Sequence, residues 1–273
     1  MKSVLILLTA AVLLTVPASS SNAQTTGSST AGPVCNSSPR TCLDLMLNMY
    51  LKALLVHKPE ALPVTDNMKF TENGVARKLG EGLWQTITKF NVDEGGAKQE
   101  YIDLPQGTAG LHMIAMEGES PALFILRIKV ADRRIMEAET YVIRSHPDGT
   151  QLKLSEMNGV GMPMNFVPKQ PQLNSRQELT RISERYLDAR KSGSFNAADY
   201  PVAVDAHRME NGRTVDLRSQ SIAPFPGFTY RIEAVDEDLG LVWVREDFGS
   251  HLAWEGFKIY DGQIHAIEGF SGI

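Results

Sequence analysis

The feature that most constrains this 273-residue chain is a stretch that occurs twice. GFKIYDGQIHAIEGF spans Gly256–Phe270, and RIKVADRRIMEAETY spans Arg127–Tyr141, about 129 residues earlier. Each reads as an apolar strand (Ile128–Val130, Phe257–Ile259), a two-residue turn, and a second strand carrying a glutamate, Glu139 or Glu268. Asp261-Gly262 is a strong hairpin signal, because a type I′ turn needs positive φ at both central residues. Asp132-Arg133 is a poorer turn, so the copies have drifted. An internal repeat decides the architecture before local propensity does.

Three further landmarks recur in order. YLDARKSG (Tyr186–Gly193) echoes YLKALLVH (Tyr50–His57). HRMENGRT (His207–Thr214) echoes KFTENGVA (Lys69–Ala76). GLVWVRED (Gly240–Asp247) echoes GLHMIAME (Gly110–Glu117). The separations, about 129 to 138 residues, are too regular for chance.

The first unit opens at Thr41 with Leu43, Met46, Leu47, Tyr50, Leu51, Leu54 and Leu55 at helical spacing. Thr41 or Asp44 can cap this helix, and Pro59 and Pro63 end it. A short strand at Met68–Phe70 leads into the turn Glu72-Asn73-Gly74. Val75, Leu79, Leu83 and Ile87 then predict a second amphipathic helix, weakened by Gly80 and Gly82. Strands follow at Gln99–Leu104, Gly110–Glu117, Pro121–Val130 and Ile135–Arg144. The glycines and prolines of residues 146–175 make a connector that can lie across a surface. Arg176–Lys191 is again helical, with Leu179, Ile182, Tyr186 and Leu187 on one stripe. Helix followed by antiparallel strands, twice over, is an α+β design.

At the N-terminus Lys2, an apolar run from Val4 to Val16, and Ser21-Asn22-Ala23 predict a signal peptide over residues 1–23. Residues 24–40 form a polar, flexible segment; the first domain takes 41–145 and the second 176–273. The expected compartment is extracytoplasmic, secreted or periplasmic. There Cys35 and Cys42 are expected to pair, a short loop contributing roughly 2–2.5 kcal/mol. A catalytic thiol pair is the alternative. With 42% hydrophobic and 22% charged residues the chain is built to fold. A net charge of −5 gives no reason to expect nucleic acid or an anionic membrane as partner.

The sequence holds no phosphate-binding Gly-Lys-Ser/Thr loop, no strand-linked Gly-x-Gly-x-x-Gly and no Gly-x-Ser-x-Gly elbow. Its six histidines are scattered, with no zinc spacing. That leaves acid–base chemistry without a cofactor, or plain binding of a small molecule.

With the Tyr50-Leu51 helix, Thr71-Glu72-Asn73, Tyr186-Leu187-Asp188, Arg208, Glu210 and both final hairpins, each unit resembles the nuclear-transport-factor-two-like, or SnoaL-like, cone. The tandem resembles a secreted family of unknown function common in fungi. The resemblance implies two repeated cone-like units, each a curved antiparallel sheet packed on N-terminal helices around a pocket. It also implies a range of activities that includes cofactor-free isomerases, dehydratases and cyclases beside pure binding domains. Fold alone does not choose among these.

The candidate catalytic residues are Glu72, His112, Arg208 and Glu210. Glu72 and Glu210 occupy equivalent turns, and a carboxyl in an apolar pocket can serve as general acid or base; ordinary turn chemistry is the alternative. His112 lies mid-strand between Leu111 and Met113, suited to proton transfer or to a satisfied place in the core. Arg208 and Glu210, two apart, share a face of an extended segment; as a solvated ion pair they would be worth about 0–1 kcal/mol. Tyr50, Leu83 and Trp84 are the candidate substrate-binding wall, or simply core. Glu72 and His112 are expected to converge under a lid formed by Leu79, Leu83, Trp84 and Ile87, making the first unit's pocket the better formed. Alternation assigns Glu139 and Glu268 inconsistent faces within their units, which points to an interface between sheets. The reading is a secreted lyase, dehydratase or isomerase for a small, largely apolar, even aromatic molecule, needing no cofactor or metal. A non-catalytic binding or structural protein is the alternative.

Overall fold

The computed structural model describes residues 38–91, 98–146, 148–157, 162–192, 200–215, 217, 228–249 and 251–272. The expected signal peptide, Cys35 and the proline-containing stretch 219–227 lie outside them.

The first helix, α1, runs Pro39–Leu55. Its cap is Ser38, whose Oγ accepts from the Thr41 amide at 3.3 Å, with proline at the first turn where no amide is needed. The cap is therefore upstream of Thr41 and Asp44. The helix stops at Val56, before His57 takes φ 55°. After it come β1 (Val64–Glu72), β2 (Val75–Ala76), the one-turn α2 (Leu83–Thr86) and β3 (Lys89–Phe90). The long helix expected over this stretch does not form. Gly80 and Gly82 take φ of 103° and 67°, and Val75 faces solvent. Strands β4 (Lys98–Asp103), β5 (Thr108–Glu117), β6 (Ser120–Ala131) and β7 (Arg134–Ile143) complete the unit where alternation placed them.

The second unit comprises α3 (Arg176–Ser192), β8 (Val202–Glu210), β9 (Arg213–Val215), β10 (Thr229–Asp236), β11 (Leu241–Asp247), β12 (Leu252–Tyr260) and β13 (Gln263–Ser271). One sheet runs β2-β1-β7-β6-β5-β3, with β4 also on β5; the other runs β10-β11-β12-β13-β8-β9. Strand for strand, β9-β8-β13-β12-β11-β10 follows the same path as β2-β1-β7-β6-β5-β4. Each sheet is mixed rather than wholly antiparallel, because β1 lies parallel to β7 and β8 parallel to β13. The first strand of each unit, arriving from its helix, docks on the last strand, and such a parallel pair needs a long crossover.

Three apolar clusters order the layers. One joins α1 to one face of the first sheet through Tyr50, Leu54, Phe70, Leu111, Met113 and Leu126. One joins α3 to the second sheet through Tyr186, Val242, Val244 and Phe257. Between them the remaining faces of the two sheets meet, with Tyr101, Ile114, Leu123, Trp243, Trp254 and Phe270 buried at the seam. Burying each such large side chain contributes about 1.5–3 kcal/mol. From the connector, Leu152, Met157 and Met164 join the same cluster. Glu139 and Glu268 both have the parity of seam residues, which resolves their apparent disagreement. Among the described residues no helix is long and apolar enough to cross a membrane.

Candidate active site

Each unit has an interior between its helix and its sheet. In the first, Glu72 is buried, and its carboxylate accepts from the Leu83 amide at 2.8 Å. Its Cδ lies where a side chain at Gly82 would have to go. Glu72 thus holds the start of α2, whose orphan amides favour an anion. Trp84 donates from its indole nitrogen to the Tyr50 hydroxyl at 3.3 Å, the two rings meeting edge to face at 5.2 Å. Leu83, Trp84, Tyr50, Phe70 and Phe124 fill the space. The expected wall and Glu72 are therefore brought together, but as packed core.

His112 does not join them. On β5, Leu111, Met113 and Ala115 face α1, so His112 faces the other sheet. There its Nε2 accepts from Trp243 Nε1 at 2.7 Å, and its Nδ1 lies 3.9 Å from Glu268. Burial lowers the His112 pKa to about 3 and raises that of Glu268 to about 8. The expected Glu72–His112 proton-transfer pair does not exist, because strand alternation separates the two by the thickness of the sheet.

The second interior is different in kind. Arg208, on β8 and almost fully buried, donates from Nη1 to Tyr186 Oη at 2.9 Å and from Nη2 to Glu255 at 2.6 Å. It also holds Glu210, donating to one oxygen from Nε at 2.9 Å and Nη2 at 2.7 Å. Glu210 is half-exposed at the edge of the cluster. Arg190, from α3, donates to Glu246 at 2.7 Å and pairs with Glu255 at 2.9 Å, its guanidinium 5.7 Å from the Phe228 ring centre. Of the expected residues, Arg208 and Glu210 meet as predicted; Arg190, Glu246 and Glu255 were missed. The signal was available in part. Arg190 continues the Tyr186 stripe by one turn, and Glu255 alternates with Ala253 and Phe257 on an inward face.

Burial comes first in setting the protonation of the two acids. It pushes Glu246 well above the usual carboxylate range, and the charge on Glu255 pushes it further. Burial acts on Glu255 as well, but Arg190 and Arg208 outweigh it and hold that group below the range. Among the described residues the Oε2 atoms of both glutamates have no hydrogen-bond partner, and a proton held on Glu246 would let it donate to Glu255. Tyr186 is pushed up to about 12 by burial, opposed by Arg208. Among the described residues no three His, Cys, Asp or Glu side chains gather as metal ligands.

The hydrogen-bond register shows what this cluster replaces. The turns at Asp132-Arg133 and Asp261-Gly262 align β6 with β12. Gly107 and Gly240 align β5 with β11, their carbonyls accepting from Val130 and Ile259 at 2.8 Å each. Arg208 then stands where the first unit has Phe70, Glu255 where it has Leu126, and Glu246 where it has Met113. One turn beyond Tyr50 and Tyr186, Arg190 stands in the place of Leu54. Four buried apolar residues of one unit are two arginines and two glutamates in the other.

Comparisons with known proteins add little beyond this geometry. The profile of a domain of unknown function, DUF8021, matches residues 172–271, the second unit and the end of the connector. No curated protein matches the chain. Among solved structures, AusH from Aspergillus nidulans is similar at 12% identity and a TM-score of 0.34, over 41% of this chain and 92% of that one. The BvnE pinacolase of Penicillium brevicompactum follows at 13% and 0.31, over 40% and 87%. An LEH-like epoxide hydrolase of M. tuberculosis matches at 14% and 0.28, over 37% and 83%. At such scores these likenesses carry no argument about activity.

Proposed function

We propose that this is an extracytoplasmic, cofactor-independent acid–base enzyme, a tandem of cone-like units in which the second carries the chemistry and the first is its packed support. The observation that carries the reading is the pair Glu246 and Glu255, two buried acids that Arg190 bridges at 2.7 and 2.9 Å, in a place where the first unit is wholly apolar. Burial favours the neutral form of Glu246, and the two arginines the ionised form of Glu255. A buried charge cluster is weak support for stability, since replacing such ions by apolar groups is often neutral or favourable. Groups of shifted pKa held apart in this way are the usual arrangement for proton transfer. Glu246 delivers a proton to the substrate and, as a carboxylate whose basicity burial raises, takes one back later in the reaction, while Glu255 positions Arg190 and Arg208 to stabilise the negative charge that develops between. Phe228, Phe257 and Tyr186 around the cluster fit a small, largely apolar or aromatic substrate, in a lyase, dehydratase or isomerase reaction.

The test is a native mass-spectrometric search for a small molecule that co-purifies with the exported protein, followed by turnover of that class of compound. Glu246→Gln and Glu255→Gln should each lower turnover by roughly 10²–10⁴-fold. Wild-type turnover in both variants would remove the assignment. Retention of a ligand without any turnover would leave a binding protein.

A further inference from the structure

A second site lies on the seam rather than inside either unit. A cleft of about 290 Å³ opens between the sheets, lined by Lys69 and Thr71 of β1, Arg127 of β6, Glu139 of β7, and Arg231 and Arg245 of β10 and β11. Two of its arginines are already engaged. Arg127 pairs with Glu233 at 2.8 Å and donates to Glu137 at 3.2 Å, and Arg231 donates to Glu233 at 2.6 Å. Arg245 is different. Among the described residues its ionic neighbour is Glu139, at 3.6 Å, and its buried Nε makes no hydrogen bond; Arg127 Nε makes none either, but lies 2.8 Å from Glu233. An orphaned guanidinium nitrogen is costly to leave in place.

We propose that this cleft binds a small monocarboxylate, gripped by Arg245 and Lys69. The charge count selects the class. Lys69, Arg127, Arg231 and Arg245 face Glu137, Glu139 and Glu233, a surplus of one positive charge. That surplus is neutralised by a single negative charge and overshot by a dianion. A planar carboxylate matches the guanidinium fork, which supplies the missing acceptor. The volume, at the lower edge of ligand pockets, admits only a small molecule. Glu139, 3.6 Å from Arg245, is the negative charge that the incoming carboxylate displaces from the guanidinium.

The experiment titrates the whole protein by calorimetry with sodium acetate and sodium benzoate, and with inorganic phosphate as the dianion at slightly alkaline pH. Saturable binding of the monocarboxylates, in preference to phosphate, is expected. Arg245→Gln should weaken it roughly tenfold to a hundredfold. Lys69 is exposed, so Lys69→Gln leaves the fold intact and should weaken binding as well. Glu139→Gln removes the competing carboxylate and should tighten binding. Absence of saturable binding, tighter binding of phosphate, or equal affinity in wild type, Arg245→Gln and Lys69→Gln would each overturn the proposal. Because none of these residues belongs to the Glu246 cluster, the result is independent of turnover there.

Discussion

The indole nitrogen of Trp243, in the second sheet, donates to Nε2 of His112, in the first, at 2.7 Å. That bond fixes the imidazole with its proton on Nδ1, toward the buried carboxyl of Glu268 at 3.9 Å. The seam thus holds side by side an imidazole and a carboxyl group whose neutral forms burial favours.

The consequence is a specific pH dependence. Glu268 titrates near 4.5 when unfolded and about 8 when folded, so the folded state binds the proton more tightly. Its contribution is present below pH 4.5 and is lost as pH rises toward 8. His112 has the opposite sign: depressed to about 3 from 6.5, it costs stability as pH falls through that window. Urea unfolding of the wild type and Glu268→Gln at a series of pH values isolates the first effect. The wild type should lose ground steadily between pH 4.5 and 8 and level off above. A pH-independent difference would show that Glu268 is not held neutral.

Gly110 should tolerate no side chain. Its φ is unexceptional, but an added methyl group would overlap the Trp243 ring and sit 2.9 Å from the Leu126 carbonyl. Gly110→Ala is expected to cost about 1–3 kcal/mol or more, read as a lower thermal or urea midpoint. An unchanged midpoint would mean that the sheets can slide apart locally.

The charged cluster should be dispensable for folding as a set, though not piecemeal. Arg208→Ala alone is expected to cost about 3–5 kcal/mol, because Glu255 is left buried with half its compensation. Installing the first unit's residues together, Arg190→Leu, Arg208→Phe, Glu246→Met and Glu255→Leu, should be neutral or stabilise by about 1–4 kcal/mol. Denaturant midpoints of the two variants decide it. A quadruple variant as unstable as the single one would return the cluster to a structural role.

Arg133 marks a place where the fold is suboptimal. It takes φ 62° in the β6–β7 turn, as Gly262 takes 71° in the β12–β13 turn, and an L side chain is strained there. Arg133→Gly should stabilise by roughly 0.5–1 kcal/mol, seen as a raised thermal midpoint. The drifted turn had read as a poorer type I′ signal; the conformation persisted although the residue that favours it did not.

Where alternation or a helical stripe was clean, the sequence was readable: β4 to β7, α1 and α3 fall where the pattern placed them. The stretch 75–90 was misread because its apolar spacing suits a helix, and only the positive φ of Gly80 and Gly82 reveals a turn. The echo of Gly240 in Gly110 was out of register. The true counterpart is Gly107, since both turn glycines need positive φ and closely approach a carbonyl of the next strand. The candidate site was half legible for a similar reason. Arg208 and Glu210 lie two apart in the chain, whereas Arg190, Glu246 and Glu255 come together only once α3, β11 and β12 are packed.

The seam has a further consequence for assembly. Gly110 and Trp243 occupy equivalent positions in the two strand orders and press against each other, while Tyr101 fills the space that Gly256 leaves opposite it. The complementarity is therefore between a knob and a hole, not between two like surfaces. Two copies of the second unit would set tryptophan against tryptophan, and two copies of the first would leave a void. Joining the halves in one polypeptide keeps them matched at any dilution and frees each from having to recognise itself. A gene holding both halves can alter one face without altering its mate, a freedom that no symmetric pair of identical subunits has.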